Sequence, residues 1–137
     1  ASAAPRYEPD LLLTPGSAAP HDRETVCSKD YPRRSRNVSE TKRTEVFNRY
    51  GVPKAERSGE VSKIDHLVPL SIGGSNELSN LWPHYYDAHP VWTVYKKSRL
   101  EIYLRKQVCR KGMPLDEAQT CIATNWINCY QRVYRPQ

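Results

Sequence analysis

Aspartate and histidine stand side by side at Asp65-His66, just ahead of the apolar run Leu67-Val68-Pro69-Leu70. Asn80 follows fourteen positions after His66, and His89 nine after Asn80. An imidazole that is neutral near pH 7 can take a proton from water, and a carboxylate can hold a hard cation. Yet "KIDHLVPLSIGGSNELSNLWP", residues 63–83, reads as two short strands joined by a glycine loop, and aspartate is a poor strand former. The pair is therefore either an incidental polar patch on a small sheet or chemistry held on a rigid support.

The surrounding elements follow from pattern. Residues 39–51 read as a helix, with Ser39 able to cap its start, Gly51 able to end it, and Val46, Phe47 and Tyr50 on one face. A strand is expected over 61–70, then the loop "SIGGSNELSN", then the short segment "LWP". A regular strand sends Asp65 and His66 to opposite faces. Joint action needs a local bend, for which Pro69 and the Gly73-Gly74 loop give room. A long helix is expected from about Ala88 to Arg110, capped by Asp87, with Leu100, Tyr103, Leu104 and Val108 as its buried stripe. A last helix covers 114–133, with Ala118, Ile122, Trp126 and Val133 roughly on one side. Residues 1–22 read as an extended or poorly ordered arm that drapes over a single domain of residues 23–137. The fold class is α+β.

At 137 residues the chain suits one compact domain, and eleven prolines promise long irregular connections. No apolar run of about 18 residues exists, so no membrane span is encoded. The net charge of +6 favours an anionic partner, nucleic acid first. The charge is also clustered. Residues 96–111 hold seven Lys or Arg against one Glu, including Lys96, Lys97, Arg99 and Arg105. Residues 33–43 hold five against one, including Arg33, Arg34 and Arg36. Two basic clusters flanking one motif suit a surface that tracks phosphates.

The four cysteines allow three pairings and favour an oxidising compartment. Cys121 and Cys129, eight apart in one expected helix, would lie about 12 Å apart along its axis. A disulfide needs Cα atoms within about 7 Å, so they pair only if that helix breaks. Cys27 with Cys109 is the preferred bridge. The small-residue start "ASAAPRYEP" is of the kind left by removal of a secretory signal, so a secreted or periplasmic location is expected.

The stretch "DHLVPLSIGGSNELSNLWP" (65–83) resembles the HNH, or ββα-metal, endonuclease family, in particular a small and often exported bacterial branch. The likeness extends to "VCSKDY" (26–31), "YGVP" (50–53), "KSRLE" (97–101) and "AQTCIATNW" (118–126), and so covers roughly residues 25–130. The chain departs from that branch in "HYYDAHPVWT" and at Ser98, where the branch often has Asp.

The resemblance implies a ββα-metal core with additional helices, and hydrolysis of phosphodiester bonds with little sequence preference. It implies His66 as general base, and Asp65 as ligand to one divalent cation. His89 at a helix start would be the second ligand, with His84 as the alternative. Asn80 would hold the loop and orient His66. The basic helix would grip the nucleic-acid backbone, with Lys97 and Arg99 closest. Mg²⁺ is the expected ion, with Mn²⁺, Zn²⁺ or Ni²⁺ as alternatives, and the enzyme is expected to act as a monomer, on DNA sooner than RNA. The rival reading is a catalytically inactive nucleic-acid-binding module on the same fold. Its mark would be loss of Asp65 or His66, and both are present.

Overall fold

A computed structural model of the chain describes residues 6–31 and 35–135. The architecture is α+β. In chain order it holds α1 (Arg23–Val26), α2 (Glu40–Arg49), β1 (Ser62–His66), β2 (Leu81–Tyr85), α3 (Val94–Lys111), α4 (Leu115–Thr124) and α5 (Trp126–Val133). The two strands pair antiparallel, with Lys63 opposite His84, Asp65 opposite Trp82 and His66 opposite Leu81.

Between the strands the chain closes a compact loop. The ladder ends at His66 and the chain bends through Leu67 and Val68 into a single turn, Leu70–Ile72. Gly73 then takes φ +87°, a conformation that strains any side-chain-bearing residue, and a Cβ on Gly74 would collide with the Val68 carbonyl. The double glycine is thus a steric requirement of this loop.

Asn80 staples the loop shut. Its Oδ1 accepts from the Val68 and Ser17 N–H groups, and its Nδ2 donates to the Val68 and Ser75 carbonyls. The residue is fully buried, so these four bonds satisfy every polar position of the amide.

Two apolar clusters flank the sheet. One gathers Val46, Phe47 and Tyr50 of α2 with Leu67, Leu81 and Trp82. The other gathers Leu100, Leu104 and Val108 of α3 with Ile122, Trp126 and the turn residue Ile72. The arm from Arg6 to His21 is strapped across both. Tyr85 N–H donates to the Arg6 carbonyl, Trp126 Nε1 to that of Tyr7, and Ala18 bridges Gly74. Residues 1–5 of the expected arm lie outside the described residues.

Helix α2 matches its expected bounds, with Ser39 Oγ accepting from Lys42 N–H. Two other expectations are corrected. Helix α3 starts at Val94, capped by Thr93, because residues 89–92 form a turn in which His89 Nδ1 accepts from the Val91 and Trp92 N–H groups. The expected last helix is two helices. Asn125 takes an extended conformation between α4 and α5, and its side chain caps α5 by accepting from Asn128 N–H. That break supplies the condition for the second bridge: Cys121 and Cys129 are disulfide-bonded with Cα atoms 5.4 Å apart. Cys27 is bonded to Cys109, at 5.6 Å. No helix among the described residues is long and apolar enough to cross a membrane.

Candidate functional site

Asp65 and His66 both line a cavity of about 170 Å³, together with Arg36, Lys63, Ser71 and Glu101. Ser71 and Glu101 also line a second cavity, of about 420 Å³, which carries Arg105, Lys106 and Arg110. Ser71 and Glu101 thus stand between two cavities that both carry cationic residues.

Beneath the first cavity lies a buried charge cluster. Lys97 is 1 % exposed, and its ammonium donates to Glu101 Oε2 (2.6 Å), to the His66 carbonyl (2.9 Å) and to Asp65 Oδ2 (3.2 Å). Burial works against the ammonium, but the two carboxylates hold its pKa above the ordinary lysine value. Burial likewise opposes the Asp65 charge, and Lys97 and His84 outweigh it, so the carboxyl titrates well below its usual range. Glu101 goes the other way: burial, with repulsion from Asp65, raises it despite Lys97.

His84 faces Asp65 from β2, with Nδ1 3.3 Å from Asp65 Oδ2. Burial holds His84 below the ordinary imidazole range, so it is a neutral ring donating Nδ1–H to the carboxylate, rather than an ion pair. Its other face stacks on Trp82.

His66 is 5 % exposed, and its Nε2 lies 3.0 Å from Asn76 Oδ1. Burial lowers its pKa, with Arg36 adding to the effect, while the Asn76 contact and the Asp65 charge work in opposition. The net result is an imidazole that stays neutral, and hence able to accept a proton, to lower pH than an ordinary histidine.

Other expected site residues have different positions. Asn80 holds the loop but makes no side-chain bond to His66; the side chain that touches His66 is Asn76. His89 does not line the cavity, since its ring packs on Tyr7 and caps the turn before α3. Lys97 is an internal counter-charge and not an exposed grip. Arg105 donates to the carbonyls of Val26, Ser28 and Ser71, tying α3 to the N-terminal segment. Lys96 lies over the Trp92 and Tyr130 rings, and Arg99 over Tyr134. Arg36 is on the cavity wall. Arg33 and Arg34 lie outside the described residues.

Glu101, Asn76 and Lys63 were missed as site residues. A signal for the α3 pair exists: Val94, Lys97, Glu101, Leu104 and Val108 recur at helical spacing, so a lysine and a glutamate four apart sit in the buried stripe. Comparison with protein-family models, curated proteins and solved structures yields no match.

Proposed function

We propose that the protein is a metal-dependent endonuclease that hydrolyses phosphodiester bonds, built on the strand–loop–strand–helix unit β1, β2 and α3 as a ββα-metal core. The observation that carries this reading is the cavity that collects a neutral imidazole, two carboxylates and two cationic residues, beside a second cavity that carries three more cations. The bound anion is a nucleic-acid backbone, whose phosphates would meet Arg36 and Lys63 in one cavity and Lys106 and Arg110 in the other. His66 takes the proton of the attacking water, the new P–O bond forms in line, and the bond to the 3′ oxygen breaks.

The donor set fits a hard divalent ion. The recorded bonds of Asp65 fall on Oδ2 and those of Glu101 on Oε2, which leaves Oδ1 and Oε1 uncommitted among the described residues. Among those residues no group of three or more His, Cys, Asp or Glu side chains is placed to hold an ion. Mg²⁺ is commonly held by one or two carboxylates, with water and substrate phosphate completing the shell, and Mn²⁺, Zn²⁺ and Ni²⁺ are the alternatives. Such an ion would neutralise charge on the phosphorane and on the leaving oxygen. Asp65 and Glu101 would hold it, and Lys97 keeps Asp65 ionised for that task. Two disulfides suit an oxidising compartment, and we place the protein outside the cytoplasm, acting as a monomer.

Nicking of supercoiled plasmid with Mg²⁺, with Mn²⁺ and with chelator tests the reading. Cleavage that needs metal supports it. Binding of DNA and RNA with no cleavage of either would leave a binding module instead.

The pH dependence has a definite sign. Since burial lowers the His66 pKa, the base form persists below roughly pH 6.5, the ordinary midpoint. The cleavage rate is expected to be level from pH 8 to about 6.5 and to fall with unit slope only at lower pH. A midpoint above about 7 in single-turnover rates would contradict this placement of His66.

A further inference from the structure

We propose that Asn76 is a positioning residue that fixes the tautomer of His66, placing the ring hydrogen on Nε2 and leaving the lone pair on Nδ1. The argument is local and rests on the nuclease reading only for its catalytic consequence. Asn76 Nδ2 donates to the Ser35 carbonyl, while Asn76 Oδ1 accepts from Asn37 N–H at 3.2 Å. Turning the amide over would set NH₂ against the Asn37 N–H and oxygen against the Ser35 carbonyl. Both contacts would become repulsive, so the amide has one orientation.

His66 Nε2 therefore faces an acceptor, at 3.0 Å. A nitrogen facing an acceptor must carry hydrogen, so the neutral ring has its basic lone pair on Nδ1. A flipped ring would set Cε1–H against Asn76 Oδ1 and lose the hydrogen bond, and the other tautomer would bring two acceptors together. One side chain thus keeps His66 in a single orientation and a single tautomer.

The same amide anchors the segment 35–37 beside the ring. That segment carries Arg36, whose side chain lines the cavity with His66. Lys42 Nζ adds a bond from α2 to the Asn76 carbonyl at 2.8 Å. Asn76 therefore joins the proton acceptor to the basic segment that meets the phosphate. This link spans about forty residues of sequence.

The test uses the full chain labelled with ¹⁵N-histidine at about pH 8, with His66 assigned from the resonances missing in His66→Gln. Wild type is expected to show His66 as the Nε2–H form, its ring proton protected from exchange with water. Asn76→Asp keeps the acceptor facing Nε2, though it loses the donor to the Ser35 carbonyl, and should keep that protected proton. Asn76→Ala should lose the protection, and its kcat should fall, by up to ~100-fold, with KM changed far less. A hydrogen on Nδ1 in wild type, or a ring proton equally protected in Asn76→Ala, would overturn the assignment. A wild-type protein that cuts no substrate would remove the nuclease reading, and the spectra would still decide this one.

Discussion

Replacing Lys97 by alanine is expected to cost about 3–5 kcal/mol of folding stability, the typical penalty for stripping one partner from a buried ionic cluster. The ammonium is almost wholly buried and touches Asp65, Glu101 and the His66 carbonyl. Without it two carboxylates face each other with no counter-charge, and the carbonyl next to the proton acceptor loses its donor. The carboxyls of the variant would then be harder to ionise folded than unfolded. Its stability should be greatest below about pH 4, the unfolded carboxylate range, and fall as pH rises through the folded values.

Lys97→Met with Glu101→Gln should recover part of the loss, with a coupling of about 0.5–3 kcal/mol. Urea unfolding with the disulfides intact measures Lys97→Ala, the double variant and its two single parents. A loss under about 1 kcal/mol for Lys97→Ala would mean that the cluster is hydrated and unpaired.

The second large effect concerns the bridge between Cys27 and Cys109. It closes a loop of 82 residues, which in the chain-entropy account is worth about 4.5 kcal/mol, against about 2.5 for the eight-residue loop of Cys121–Cys129. The double serine variant of the long bridge should therefore lose more stability than that of the short one. The native contacts around it persist by other means. Arg23 donates to the Val108 and Cys109 carbonyls, and Arg105 to those of Val26 and Ser28. Well below its melting point the variant should keep its cleavage rate, because the bridge acts mainly on the unfolded chain. Equal losses for the two bridges in denaturant unfolding would contradict this ordering.

What could be read from sequence divides along the range of the interactions. The glycine loop between two short strands and the cap at Ser39 were legible because local rules decide them: glycine geometry and a side chain meeting an N–H three residues on, although the first strand ends at His66 and not at residue 70. Local rules also mark the break at Asn125, whose capping signature competes with an uninterrupted apolar stripe. The stripe was given too much weight.

The start of α3 was misplaced because Asp87 and Pro90 look like a helix entry. The imidazole of His89 instead caps a turn, and Thr93 begins the helix. Lys97 reads as surface from its type and as core from its spacing, and tertiary pairing with Asp65 decides between them. Asn76 was out of reach. Its role comes from residues 35–37, brought next to the loop only by the fold.

The central claim is that His66 is the proton acceptor in phosphodiester hydrolysis. The measurement that tests it most directly is the initial rate of plasmid nicking by wild type and His66→Ala, each with Mg²⁺ and with chelator, at equal bound DNA. General-base catalysis of this kind is worth at least ~100-fold, so the variant should bind as wild type does and cut at least that much more slowly. Equal metal-dependent rates in the two proteins would show that His66 takes no proton.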